Sequence, residues 1–67
     1  MDERDILILK YLAKGVQIGQ IPLHFESDHS LTISKSYIEK RLTTLRKSLG
    51  AKSLFHLAVI VKNEKII

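Results

Sequence analysis

Apolar positions along the chain fall into four groups, and the third is the most regular. Ile38, Leu42, Leu45 and Leu49 follow one another at steps of four, three and four residues, which draws a single narrow stripe along a helix. Ser34 precedes the stripe as an N-cap, because its hydroxyl can accept from an unpartnered N–H of the first turn, and Gly50 ends it. Lys35, Ser36, Glu39, Lys40, Thr43 and Lys47 occupy the opposite side, with Arg41 and Arg46 on the flanks. Such a helix is seated by a thin apolar back and offers a long polar, basic front.

The other groups predict three more helices of unequal clarity. From Asp2 or Glu3 to about Ala13, residues Ile6, Leu9, Leu12 and Ala13 recur at helical spacing, and Leu7 and Ile8 widen the apolar side. Asp2, Glu3 and Asp5 suit the positive end of the helix dipole, Lys10 and Lys14 the negative end, and Gly15 is the stop. A last helix starts after Ser53 and runs from Leu54 to about Lys62, with Leu54, Leu57, Ala58 and Val61 on one face. Phe55, Val59 and Ile60 fall largely outside that face. This surplus predicts a second contact, either with the first helix or with another copy of the chain.

Between Val16 and Phe25 the pattern is weaker. Ile18, Ile21, Leu23 and Phe25 allow a helix, but Gly19 and Pro22 oppose a long one, because proline is tolerated only within a first turn. A helix here is short or starts late. Glu26-Ser27-Asp28-His29-Ser30 reads as the most loop-like stretch, and Leu31 and Ile33 then alternate with Thr32 and Ser34 as a loose turn or a brief extended excursion.

The chain has 67 residues, 45% of them hydrophobic, and forms a single domain over residues 1–67. A domain this small buries only about 60% of the surface that its unfolded chain exposes, which leaves no room for a large substrate cavity. Cysteine is absent, so disulfides, thiolate metal sites and thiol nucleophiles are excluded. No apolar run reaches the roughly 20 residues that span a bilayer, and the acidic start is unlike a signal peptide. The expectation is a soluble, cytoplasmic protein.

Charge is distributed unevenly. The net charge is +4, but residues 35–52 carry six basic residues against Glu39 alone, a local excess of +5 on an otherwise nearly neutral chain. That asymmetry points to a polyanionic partner. His24, Glu26, Asp28 and His29 match no compact metal-ligand spacing and read as ordinary polar residues; His56 stands alone on the edge of the last helix. No glycine-rich phosphate loop, activated nucleophile or carboxylate pair can be assembled. The expectation is a non-enzymatic protein with no cofactor and no metal.

Ser34-Lys-Ser-Tyr37-Ile38-Glu-Lys-Arg41-Leu42-Thr-Thr-Leu45-Arg-Lys-Ser-Leu49-Gly50-Ala-Lys-Ser53 resembles the C-terminal half of the LuxR/GerE-type helix-turn-helix domain. That family reads Ser-x-x-Thr-Val-x-x-His-Leu-x-x-Ile-x-x-Lys-Leu-Gly-Val-x-Ser in this region, with the apolar positions and the glycine in register. Arg4-Asp5 through Leu9 and Leu12-Ala13-Lys14-Gly15 are similar to the family's Arg-Glu-Arg-Glu-Val-Leu-x-Leu-Leu-Ala-x-Gly opening. Ala58 to Ile67 is similar to its closing helix and Gly-Leu-Ile end. Tyr37 and Arg41 stand in place of the usual Thr and His, Lys65 in place of the closing Gly, and extra residues separate Phe25 from Ile33.

The resemblance implies an all-α, four-helix helix-turn-helix domain with a lengthened turn between helices two and three. It further implies sequence-specific binding of double-stranded DNA by the third helix, in a bacterial transcription regulator or the output domain of a response regulator. Base contacts fall on Glu39, Lys40 and Thr43, whose side chains suit cytosine N4, guanine O6 or N7, and either base edges or a thymine methyl. Lys35, Ser36, Tyr37, Arg46 and Lys47 are the candidates for phosphate. Phe55, Val59 and Ile60 are the candidate homodimer face, as the family commonly uses this last helix. The competing expectation is a protein-interaction module that keeps the fold without binding DNA, its altered second helix docking a partner such as RNA polymerase.

Overall fold

Three of the four helices begin where a short polar side chain substitutes for a missing backbone partner. Asp2 accepts from the Asp5 N–H at 2.9 Å, Ser34 Oγ from the Tyr37 N–H at 3.1 Å, and Ser53 Oγ from the His56 N–H at 3.0 Å. In the computed structural model, which describes residues 1–67, these caps open α1 (Glu3–Ala13), α3 (Lys35–Ser48) and α4 (Leu54–Asn63). Gly15 and Gly50 follow α1 and α3 with φ of +87° and +70°, the left-handed region that glycine enters without a Cβ clash. The fold is all-α, with no strand.

α2 (Ile21–His29) is built differently. It has no side-chain cap and follows a 3₁₀ turn at Ile18–Gln20, with Pro22 in its first turn, where a missing N–H costs nothing. This is the late start that the glycine and proline imply. The expectation of a loop over Glu26–Ser30 is corrected: Glu26–His29 form the last turn of α2. Ser30 then caps it in the left-handed conformation at φ +54°. The turn to α3 is therefore residues 30–34, somewhat longer than the three or four residues usual between such helices. Within the turn, Ile33 is buried and Leu31 packs on the core.

The core is one cluster. α1 contributes Ile8, Leu9 and Tyr11; α2 Ile21 and Phe25; α3 Ile38, Leu42 and Leu45; α4 Leu57 and Val61, with Ile33 and Ala51 from the connections. Each large aliphatic or aromatic side chain so buried stabilises the fold by about 1.5–3 kcal/mol before entropy is charged against it. α4 lies against both α1 and α3. Leu49 completes the α3 stripe from its half-buried end.

On α1 the centre of burial differs from the expected Ile6, Leu9, Leu12 and Ala13. Asp5, Ile8 and Leu9 are fully covered, while Ile6, Leu7, Leu12 and Ala13 are half-buried. The buried residues of α1 are thus Asp5, Ile8, Leu9 and Tyr11, with a carboxylate at the first place. No helix is long and apolar enough to cross a membrane.

Candidate nucleic-acid interface

α3 presents the polar front that its sequence implies. Lys35, Ser36, Glu39, Lys40, Thr43 and Lys47 are exposed, whereas Tyr37 and Arg46 are half-buried. Glu39, Thr43 and Arg46 border a shallow recess of about 320 Å³ that is closed by Ile18 of the 3₁₀ turn and by Ser53 and Leu54 at the start of α4. Glu39, Lys40 and Thr43 share a second, outer hollow with Thr44. The three residues expected to read bases therefore lie together on one continuous surface. Thr44 belongs to the same surface, and its spacing of four from Lys40 and three from Lys47 would have placed it there.

The cations of this face have no internal partners. The chain contains two ion pairs, His24–Asp28 and Arg41–Asp5, so Lys35, Lys40, Arg46 and Lys47 stand without a carboxylate within 4 Å. Their charge projects outward. Tyr37 leans back toward the core and lines a hollow with Arg4 of α1 and with Thr32, Ile33 and Ser34 of the preceding turn. Arg4 extends the basic surface from α1, a proximity that depends on tertiary packing and has no local signal.

Arg41 behaves unlike the other basic residues of its segment. Its Nε and Nη2 donate to the two carboxylate oxygens of Asp5 at 2.9 and 2.8 Å, a planar two-bond grip. Asp5 is buried and Arg41 is one-third exposed. The hydrogen bonds from Arg41 hold the Asp5 carboxyl below its ordinary range against the opposing effect of burial, with help from the Asp2 N–H. The same grip raises the Arg41 pKa. By sequence alone, Asp5 reads as a dipole partner of α1 and Arg41 as a flank of the basic helix. The available signal was the position of Asp5 on the buried face of α1.

His24, Glu26, Asp28 and His29 ride on α2 rather than on a loop. The Tyr11 hydroxyl donates to Asp28 Oδ2 at 2.7 Å, and His24 Nδ1 lies 3.8 Å from the same oxygen. That bond lowers the Asp28 carboxyl; burial first, then the bond to Asp28, raises the Tyr11 phenol. The Tyr11 ring packs on His24 and Phe25 at centroid distances of 5.0 and 5.7 Å. No three potential ligands converge to hold a metal ion. His56 Nδ1 accepts the Lys52 N–H at 3.0 Å and so supports the cap of α4.

The surplus apolar residues of α4 divide. Phe55 is 80% exposed and Val59 39%, beside a shallow groove formed with Ala13, Ala58 and Lys62. Ile60 is half-buried and packs on the core, so the open part of the expected dimer face is Phe55 and Val59. Comparison of the chain with protein-family models, with curated proteins and with solved structures returned no match, and the reading of this surface rests on its own residues.

Proposed function

We propose that this chain is a helix-turn-helix domain of LuxR/GerE type that binds double-stranded DNA by laying α3 in the major groove and regulates transcription. The observation that carries the reading is the combination on α3 of four cations without carboxylate partners with an apolar back that is wholly committed to the core. A B-form major groove about 12 Å wide accepts one helix about 10–12 Å across, so the residues that read must lie opposite those that seat. Glu39, Lys40 and Thr43 do. Lys40 donates to guanine, Glu39 accepts from cytosine N4, and Thr43 touches either a base edge or a thymine methyl. Lys35, Arg46 and Lys47 neutralise phosphates beside them, while Ser36 and Tyr37 add uncharged donors to the backbone.

Two copies joined through Phe55 and Val59 would present two α3 helices to paired half-sites. Each protomer neutralises phosphates with Lys35, Arg46 and Lys47, so log affinity should fall with log salt at a slope of about −3 per protomer. Fluorescence anisotropy on a random duplex over a salt series measures it. A slope near zero, or NMR shifts on DNA titration confined to residues 16–33, would overturn this reading in favour of a protein-docking module.

A further inference from the structure

Burial of Ile38, Leu42 and Leu45 keeps α3 on the core, but apolar contacts carry no direction of their own. On a helix about 10–12 Å across, a 20° rotation carries the tip of an outer side chain by about 2 Å. A hydrogen bond to a base edge survives a few tenths of an ångström. Seating α3 is thus not the same as aiming it.

Arg41 supplies what the apolar stripe lacks. It is the residue next to Lys40, so the direction in which it is held sets the direction of Glu39, Lys40 and Thr43 around the helix. Its two bonds to Asp5 fix the plane of the guanidinium as well as its position. Asp5 is itself fixed, since its N–H donates to Asp2 at 2.9 Å and its carboxylate lies 3.4 Å from the Asp2 N–H, within the first turn of α1. The chain of contacts runs from the α1 cap, through one buried carboxylate, to the middle of α3.

We infer that Asp5 is a positioning residue for the exposed face of α3: through Arg41 it sets the rotation of that helix, and so governs which sequences are preferred more than how tightly DNA as such is held. The inference rests on the DNA-binding reading for its consequence but not for its geometry. Arg41→Lys keeps the charge and removes the planar grip; Asp5→Asn keeps the size, removes the charge and serves as the second variant if Arg41→Lys does not fold.

Backbone residual dipolar couplings of the free protein are expected to show α3 rotated or averaged relative to α1 and α4 in both variants, with the rest of the fold in place. Selection from a pool of duplexes with a short randomised stretch should yield a sharper motif with the natural chain than with Arg41→Lys. Affinity of Arg41→Lys for random duplex should change by less than about twofold, because the net charge is kept and the cations assigned to phosphate are untouched. An α3 orientation and a selected motif both unchanged in Arg41→Lys would overturn the inference. If the natural chain binds no duplex while α3 still turns in the variants, the DNA reading fails and the positioning role stands.

Discussion

α1 is joined to α2 and to α3 by one polar junction each, and the two are built on opposite principles. Toward α3, a buried carboxylate is gripped at two points by Arg41. Toward α2, the Tyr11 hydroxyl makes a single bond to an exposed carboxylate, Asp28, and the Tyr11 ring makes the rest of the contact against His24 and Phe25. The first junction fails as a whole when either member is lost, because the survivor keeps an unpaired charge. The second degrades gradually, since the ring still packs after the hydroxyl is gone. The helix with the basic front is the one held by the rigid joint.

Asp5→Ala should therefore be the more damaging change. It removes two charged hydrogen bonds and leaves Arg41 facing a hole, at a cost of about 1–3 kcal/mol, the lower part of that range applying because Arg41 is partly solvated. For a domain of this size each kcal/mol lowers Tm by about 4–8 °C, well within reach of a thermal melt followed by circular dichroism. Tyr11→Phe deletes one neutral donor and should cost on the order of 0.5–1 kcal/mol. Equal losses for the two variants would break the contrast between the joints.

pH probes the two joints in a second way. The Asp5 carboxyl is depressed in the folded state, first by its hydrogen bonds from Arg41, so its contribution is present above the unfolded value of about 3.9 and is lost as pH falls through the lower folded value. Asp28 is depressed by the Tyr11 hydroxyl and has the same sign. Tyr11 has the opposite sign: its phenol is raised, so its contribution is present below the unfolded value of about 10 and is lost as pH rises through the folded one. Denaturant midpoints measured across pH should thus fall at both extremes. Tyr11→Phe should flatten the alkaline fall, and Asp5→Asn should weaken only the acid one.

The same difference explains how far the sequence could be read. α3 and α4 were legible because their signals are local: Ser34 and Ser53 as caps, Gly50 as a stop, and leucines at helical spacing. So was the basic front, since each exposed residue lies opposite the stripe. α2 was only half legible. Its last turn, Glu26–His29, has no amphipathic pattern and is supported by Phe25 in the core and by a bond from Tyr11, seventeen positions away. The Asp5–Arg41 joint spans 36 positions and reads locally as two unrelated charges, one in a helix start and one in a basic segment. Contacts across the fold, rather than periodicity, determine both.

Phe55 offers a control that lies outside both joints. With 80% of its surface exposed it contributes little to the fold, and Phe55→Ser should change stability by no more than about 0.5 kcal/mol. Sedimentation of the same variant tests whether the groove beside Val59 joins two copies. A weaker self-association at unchanged Tm is the expected outcome; a large drop in Tm would instead place Phe55 in the core.

A last effect, small and of opposite sign, concerns a position that is tolerated rather than enforced. After α4, Lys65 sits at φ +57°, left-handed backbone that a side chain disfavours, and this turn brings the Ile66 N–H to the Val61 carbonyl at 2.9 Å and both final isoleucines against the core. The conformation exists because those contacts outweigh its strain. Glycine adopts the conformation freely but loses more entropy on folding, so the two effects partly cancel. Lys65→Gly should accordingly raise stability by about 0.5 kcal/mol and not more than about 1 kcal/mol. A loss of stability would mean that the Lys65 side chain contributes to the fold more than its exposed position implies.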